Sequence, residues 1–501
     1  MKNSRLPTLA AEEIMKATGG TLIQGSGCHV FNGVSTDSRN ITGGTLFIPV
    51  VGDRYDGHDF IEEAMRSGAS GLLLQRGKEK AVEEVSGDVP VICVDDTLKA
   101  LGDIARFQRD RFKIPVVAVT GSSGKTTTKE MIASIAGLSM NILKSPGNFN
   151  NLIGLPLTLL KMNSDHEVAV LEMGTNRRGE IARLTEIARP DVGVITNIGP
   201  AHLEGLKSLD GIREEKGDLF SNMKAGAVAI INCDDEEVRM VAKQRKGKSI
   251  IFGMKKDAFV RAENIIKRGK EGVSFTLVIG KFKRKIDMST FGEHNIYNAL
   301  AAAACSLALG IDHDVICEGL TSFRQIDGRM DLHRLKSGVY LIDDTYNANP
   351  ASVREALRSL RDLKGTNESM VILGDMLELG DQSEEIHEDV GRYLADTGVD
   401  KVFLRGRFSH AVAAGATKGG LKIDQIFFID NPGKMAVCLK SCLKEGDWVL
   451  IKGSRKMKME DVTRAIIETF GEETAEESNF EFGSTERSRR SRNSKQMFKT
   501  L

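Results

Sequence analysis

A chain of 501 residues with 69 basic and 69 acidic side chains carries no net charge, so no global basic field argues for nucleic acid. At 41% hydrophobic and 28% charged it can bury cores of ordinary size, and its length suits about three domains. It has no run of about 18 apolar residues and no apolar signal core near its start, which argues against a membrane span and for a cytoplasmic protein. Seven scattered cysteines (Cys28, Cys93, Cys233, Cys305, Cys317, Cys438, Cys442) without a CxxC pair fit a reducing compartment.

Taken in order, residues 1–112 read as a first α/β domain. Leu9–Thr18 suits a short helix ended by Gly19-Gly20. Leu46–Val51 and Gly71–Leu74 read as buried strands with a helix, Phe60–Ser67, between them. Val91–Val94 adds a strand and Thr97–Phe112 a helix. Two polar turns, Ser35–Arg39 and Gly52–His58, carry hydroxyls and two arginines that suit an anionic sugar nucleotide. Composition alone favours ordinary loop polarity there.

Residues 113–322 hold the strongest signal, PVVAVTGSSGKTTTKEM. A buried strand, Val116–Val119, runs into a Gly-rich turn and then a helix that opens with Lys125-Thr126. That order is phosphate-binding architecture, because glycines let backbone N–H groups approach an oxyanion. Lys125 offers a point charge to the β/γ-phosphates and Thr126 a hydroxyl to Mg²⁺. Val119 stands where the longer phosphate loop has its first glycine, so this is the G-x-x-G-K-[ST] form. Further strands are expected at Asn141–Leu143, Val168–Glu172, Val192–Thr196, Val228–Asn232 and Ser249–Gly253. An antiparallel pair is expected over 272–289, then an Ala-rich helix after Gly292. Alternating strands and helices predict a doubly wound parallel sheet.

Several side chains sit near the carboxyl ends of these strands, where open α/β sheets bind ligands. Asn148, Asn150 and Asn151 offer amides, or else a turn with Asn in left-handed conformations. Glu172 ends a strand and His202 follows one. Hydroxyl and carboxylate are hard oxygen ligands for Mg²⁺, and a histidine is less usual. Lys216, within REEKGDLF, reads by itself as a surface lysine on a helix.

Residues 323–470 restart the alternation without a phosphate loop. Strands are expected at Tyr340–Asp344, Ser369–Gly374, Lys401–Leu404 and Trp448–Lys452, with helices at Ser352–Leu363 and Glu384–Thr397. Residues 471–501, acidic then basic and Ser-rich, read as a disordered tail.

The pieces TGSSGKTTTKEM, EMGTNRRGEI, TNIGPAHLEGL, EEKGDLF, EHNIYNALAA, DGRM and DDTYNANP resemble the Mur ligase family, ATP-dependent amide-forming ligases of bacterial wall-precursor synthesis. The resemblance spans nearly all of residues 10–470 in the family's order. STDSR with GDRYDGHDF, GNFNNLIGLPLTLL and KGSRKMKME resemble the branch that joins D-Ala-D-Ala to UDP-MurNAc-tripeptide. It implies a three-domain α/β fold: a UDP-substrate domain, a central phosphate-loop domain, and a Rossmann-like C-terminal domain that takes the dipeptide. It implies an ATP-dependent acid–D-amino-acid (peptide) ligase acting through an acyl phosphate, and leans towards a monomer with no nucleic-acid or membrane partner.

Residue by residue, the resemblance implies that Gly121, Ser122, Ser123, Gly124, Lys125, Thr126 and Thr127 bind the ATP phosphates. His294 and Asn295 would lie near adenine or ribose, Arg329 would reach the phosphates, and Asp343 would help hold the nucleotide. Thr126, Glu172 and His202 would serve magnesium, joined by Lys216 once CO₂ has converted its amine to a carbamate. Lys125, Lys216, His202 and Arg329 would be the catalytic set. Thr36, Asp37, Ser38, Arg39 and Arg54 would face the UDP end, with Asn148, Asn150 and Asn151 also on the substrate. Tyr346, Asn347, Asn349, Lys452, Ser454 and Arg455 would frame the dipeptide. The alternatives are a sibling ligase that adds one amino acid and a nucleotide-binding regulator without catalysis.

Overall fold

Runs of four or five apolar, largely β-branched residues make the buried strands of this protein. The computed structural model describes residues 8–473 except 53, 54, 84 and 86, so Arg54 and the tail from residue 474 lie outside the described residues. By its contacts the chain forms two compact units. The first takes the chain through Phe323 apart from Arg268–Gly272 and Ser289–Gly292, which belong with the second.

The first unit opens with a two-residue strand, Leu9–Ala10, paired antiparallel with Val30–Phe31. Only then does the helix Ala11–Thr18 begin, so the expected helix starts two residues late. It stops where Gly19 turns left-handed at φ 69°. A five-stranded sheet follows in the order Thr21–Gln24, Val91–Val94, Ala69–Gln75, Thr45–Phe47, Gly33–Ser35. It is parallel except at Thr21–Gln24. Phe47, Ile61, Leu72, Leu74 and Val91 pack together beneath it. The expected strand Leu46–Val51 ends early, at Phe47. Beyond it the chain folds back on itself, with Gly57 N–H donating to Val50 O at 3.0 Å. A side chain on Gly57 would meet Val50 N at 2.5 Å, so glycine permits the turn.

The helix Thr97–Asp110 packs on the helix Glu180–Ala188 and leads into a nine-stranded sheet. The order is Phe282–Met288, Val273–Ile279, Val260–Lys267, Ser249–Gly253, Val228–Asn232, Val192–Ile195, Val116–Thr120, Val168–Glu172, Ile142–Lys144. Six strands pair in parallel up to Ser249–Gly253, which also pairs in parallel with Val260–Lys267. The last two then turn back antiparallel, as expected over 272–289. Lys125–Ala136 and Glu293–Ala308 pack together over one face, and Glu180–Ala188 and Leu209–Asn222 over the other. Ala299 and Ala301–Ala304 are buried, and their small side chains admit this close approach. After Val116–Thr120 the chain builds two strands to one side and then crosses to the other. The carboxyl end of Val116–Thr120 is therefore the switch point of a doubly wound sheet.

The second unit carries a six-stranded sheet in the order Asp331–Arg334, Tyr340–Asp344, Trp448–Lys452, Ser369–Gly374, Lys401–Arg405, Ile426–Phe428. It is parallel except for its first strand. Leu341, Ile372, Phe403, Val449, Met459 and Ile466 form its core. Gly471–Glu473, which composition assigns to the disordered tail, is instead paired. Lys336 N–H donates to Gly471 O at 2.9 Å and Glu473 N–H to Arg334 O at 2.9 Å. The free edge of Asp331–Arg334 and the turn after it supply those partners. No helix among the described residues is long and apolar enough to cross a membrane.

Arg109 ties the Thr97–Asp110 helix to the nine-stranded sheet. Its guanidinium is buried and donates to Ala188 O at 3.1 Å, Phe112 O at 2.7 Å and Asp191 Oδ2 at 3.3 Å. Arg109→Ala strands these acceptors and costs about 3 kcal/mol. A thermal melt should show a fall of roughly 6 °C or more. Lys224→Ala, which removes the half-exposed partner of the same Asp191, should shift it by no more than about 2 °C.

Candidate active site

The turn after Val116–Thr120 needs glycine twice. Gly121 has φ 150°, and a Cβ there would fall 1.9 Å from Thr196 Oγ1. Gly124 has φ 77°, and its Cβ would fall 2.3 Å from Asn298 Oδ1. The loop between them is zipped to the segment after Val192–Ile195. Ser122 N–H donates to Asn197 O at 3.0 Å, and Ser123 N–H to Asn197 Oδ1 at 2.9 Å. Thr196 Oγ1 donates to Ser123 O at 2.6 Å, and Ser122 Oγ to Gly199 O at 2.8 Å. Lys125 Nζ folds back onto Gly121 O at 2.7 Å. The helix Lys125–Ala136 thus starts at the loop, with the N–H groups of its first turn turned towards any bound anion.

Beside the loop stands a buried carboxylate. Glu172 ends its strand at 2% exposure. Thr126 Oγ1 donates to its Oε2 at 2.8 Å, and Asn150 Nδ2 to its Oε1 at 2.8 Å. The Glu172 N–H donates to Ser145 Oγ at 3.1 Å. The three asparagines thus part company. Asn150 joins Glu172, and Asn151 Oδ1 accepts from Ile153 N–H and Gly154 N–H at 3.1 and 2.8 Å. Asn148 is exposed, and its carbonyl accepts from Asn150 N–H at 2.7 Å.

His202 is half-buried in a left-handed conformation, φ 56°, at the start of Leu203–Leu206. Lys216 lies on Leu209–Asn222 and is not on the surface: it is 1% exposed. Burial pushes its amine down to about 7, the Lys125 charge adds to that, and Glu215 opposes it. Glu215 is itself buried and accepts from Thr175 Oγ1 at 2.9 Å, Gly179 N–H at 2.6 Å and Ile181 N–H at 2.8 Å. It thereby fixes the Lys216 helix against the start of Glu180–Ala188. Sequence reasoning missed Glu215, and an acid beside a candidate lysine was its only signal. On the Ala-rich helix His294 is half-buried. Asn295 is buried and accepts from Asn298 Nδ2 at 3.1 Å, and Thr128 Oγ1 donates to Asn298 Oδ1 at 3.3 Å.

In the five-stranded part, Arg39 forks onto Asp37 at 2.8 and 3.0 Å and holds that carboxyl down at about 2. Ser38 Oγ donates to Glu63 Oε2 at 2.9 Å, and Thr36 is half-buried between Ser35 and Asp37. In the second unit Arg329 and Arg455 lie over the Tyr346 ring, at 4.1 and 5.5 Å from its centre. Arg455 N–H donates to Asn347 Oδ1 at 3.3 Å. Lys452 Nζ is buried between Asp344 Oδ2 at 2.5 Å and Asn347 O at 3.0 Å. Ser454 Oγ donates to Ala348 O at 3.3 Å. Asp343 Oδ1 accepts from both Thr345 N–H and Thr345 Oγ1, at 3.0 and 2.6 Å. Asn349 caps the helix Pro350–Lys364 through Ser352 N–H at 2.8 Å.

A phosphate loop at the switch point of a doubly wound sheet, with a second α/β unit after it, defines a nucleotide-binding α/β protein. The chain matches three family models: the Mur ligase family catalytic domain over 30–109, the Mur ligase middle domain over 119–306, and the Mur ligase glutamate ligase domain over 328–455. It is 37% identical over 440 residues to the UDP-N-acetylmuramoyl-tripeptide–D-alanyl-D-alanine ligase of Bacillus subtilis, covering 88% of this chain and 94% of that one. The crystal structure of MurF from Acinetobacter baumannii superposes with TM-score 0.83 at 32% identity, covering 93% and 100% of the two chains. MurF from Thermotoga maritima in complex with ADP gives 0.77 at 30%, covering 87% and 97%. The chain belongs to the Mur ligase family.

Two expectations follow. Gly124→Ala should cut nucleotide affinity at least ~10-fold by calorimetry, because its Cβ displaces Asn298 or the loop. Lys216 gives a pH signature. Below about pH 7 the folded protein must bury an ammonium, whereas the unfolded chain stays charged up to about its ordinary 10.5. The unfolded state therefore binds more protons between those values, and this lysine alone makes stability rise with pH across that window. Lys216→Met should remove that part of the slope in denaturant titrations at pH 7 to 9.

Proposed function

We propose that this protein is an ATP-dependent ligase that joins D-Ala-D-Ala to UDP-MurNAc-tripeptide through an acyl phosphate, releasing ADP and phosphate in the cytoplasm. The observation that carries the reading is the meeting of Thr126 and Glu172, 2.8 Å apart, beside the phosphate loop. The names of the relatives supply the substrates. A sibling ligase adding a single amino acid has weaker support, because the Bacillus subtilis relative, matched over 94% of its length, is named as a D-alanyl-D-alanine ligase.

The chemistry follows from charge. A substrate carboxylate attacking the γ-phosphoryl group meets strong repulsion, so the site must supply positive charge and N–H donors where negative charge develops. Lys125 and the loop N–H groups serve the phosphates in this reading, with Ser122, Ser123 and Thr127 along the loop. Arg329 also serves the phosphates, while Asp343, His294 and Asn295 serve the rest of the nucleotide. The acyl phosphate then gives its acyl carbon to the dipeptide amine, and phosphate leaves.

Thr126 and Glu172 form a hard-oxygen pair that suits magnesium. Among the described residues no group of three or more His, Cys, Asp or Glu is clustered so as to hold an ion by itself. Phosphate oxygens and water would complete the shell, as is usual for this cation. Bound there, it would neutralise phosphate charge, with His202 beside it. With its pKa lowered to about 7, Lys216 has a substantial neutral fraction near pH 7, and the neutral amine is the form that CO₂ adds to, which supports carbamylation. We assign residues 1–112 to the UDP substrate, through Thr36, Asp37, Ser38, Arg39 and Arg54, 113–322 to ATP and 323–470 to the dipeptide.

The test is phosphate release from ATP with UDP-MurNAc-tripeptide, with and without D-Ala-D-Ala, and the mass of the nucleotide product. A gain of one dipeptide only in the complete mixture is expected. A product carrying a single amino acid would overturn the assignment. Lys125→Ala should lose about 3 kcal/mol of transition-state stabilisation, roughly 150-fold in kcat/KM.

A further inference from the structure

The nine-stranded unit buries a cation that the proposed reaction does not use. Lys129 stands one helical turn beyond Lys125 and is 0% exposed. Its Nζ donates to Ser145 O at 2.8 Å and meets Glu130 Oε1 at 2.9 Å. It also lies 3.9 Å from Glu172 Oε2. The other Glu130 oxygen takes Lys144 Nζ at 2.5 Å. Lys144, Glu130, Lys129 and Glu172 thus form a row of alternating charge running from the surface to the candidate site. Its inner end is Glu172, whose two side-chain hydrogen-bond donors, Thr126 and Asn150, are both neutral. A buried carboxylate with neutral donors only is costly, and a nearby opposite charge relieves that cost. Among the described residues, Lys129 supplies that opposite charge.

At 3.9 Å Lys129 is near enough to compensate the charge and too far to occupy a lone pair. Its direct bonds go elsewhere. Ser145 receives it through the carbonyl and holds the Glu172 N–H through the hydroxyl. Glu130 offers a second anion on which the ammonium can rest. We propose that Lys129 is a positioning residue, a resident counter-cation for Glu172. It balances the charge of this carboxylate and keeps it aimed at Thr126 and Asn150 while no divalent cation is present. When the cation arrives with the nucleotide, Lys129 gives up Glu172 and rests on Glu130. This rests on the reading of Glu172 as the carboxylate that meets that cation.

Thermal melts of the full chain test it, using the parent, Lys129→Met, Glu172→Gln and the double variant. Each is measured with EDTA, with ADP and EDTA, and with ADP and MgCl₂. In EDTA, Lys129→Met should lower the melting temperature by about 4 °C or more, through loss of the counter-charge. In the Glu172→Gln background that loss should fall by at least half, because no buried anion remains to be compensated. Addition of Mg²⁺ to the ADP sample should raise Lys129→Met by more degrees than it raises the parent. A residue that only packs the core would show the same loss in every background and condition. Absence of the coupling, or of the extra Mg²⁺ shift, overturns the proposal. If Lys129→Met does not fold, recovery of folded protein on adding Glu172→Gln supports the proposal, and failure to recover it overturns it. The parent reading has its own arm. If Glu172→Gln leaves the Mg²⁺-dependent shift at the parent value, Glu172 is not the cation's carboxylate, whatever the melts in EDTA show for Lys129.

Discussion

A buried carboxylate has to be held, and the middle of this protein is arranged around holding one. Glu172 ends a central parallel strand with almost no exposure. Three separate segments converge on it: Thr126 from the helix after the phosphate loop, Asn150 from an asparagine-rich turn, and Ser145 from the end of the neighbouring strand. The backbone makes room for them. Gly174 lacks a side chain where the Asn150 amide passes, since a Cβ would lie 2.9 Å from that amide carbon. Thr126 reaches Glu172 only because the turn before it is tight, and the turn is tight only because residues 121 and 124 carry no Cβ. One charge in a low-dielectric setting therefore constrains a loop, a helix start and two strand ends at once.

Lys216 and Lys129 show two solutions to the same cost. Both are nearly or fully buried ammonium side chains in the same unit. Lys129 keeps direct polar partners, a carbonyl and a carboxylate. At Lys216 burial and the charge of Lys125 act together to favour the neutral amine. Glu215 is adjacent in sequence but is spent on a hydroxyl and two backbone N–H groups at the start of another helix. Neighbours one residue apart on a helix face different directions, so the acid anchors the helix while the amine faces elsewhere.

The core strands were legible because burial on both faces demands a plain apolar run. Val168–Glu172, Val228–Asn232, Tyr340–Asp344, Ser369–Gly374 and Trp448–Lys452 have the boundaries expected from sequence, as does the partly exposed Ser249–Gly253. Short edge strands such as Gly33–Ser35 and Ile426–Phe428 were not legible, since three residues carry no periodicity. The apolar run continues through Ile48–Val51 beyond the strand Thr45–Phe47, while the backbone there folds back onto Gly57. The phosphate loop was plain from its glycines and Lys-Thr. Lys129 and Glu215 were not, because their burial comes from partners distant in sequence: Ser145 for the lysine, Thr175 and Gly179 for the acid.

The remaining candidate side chains differ in how freely a ligand could recruit them, and burial sets that difference. Arg39 is held by Asp37, yet its side chain is 79% exposed and the pair is local. An exposed pair of this kind contributes little, so an incoming diphosphate can take the guanidinium at small cost. Lys452 is the opposite case. Its ammonium is buried against Asp344 and the Asn347 carbonyl, and withdrawing it would break a buried ion pair inside the second unit. Lys452 therefore shapes the 344–347 turn from below, and that turn carries Tyr346, over which Arg329 and Arg455 lie. A guanidinium stacked on a ring keeps its in-plane N–H donors directed outward along the ring plane. Thus the exposed Arg39 and Arg455 are the groups suited to meeting anions, and the buried Lys452 and Asp344 hold the turn whose Tyr346 ring lies under Arg329 and Arg455.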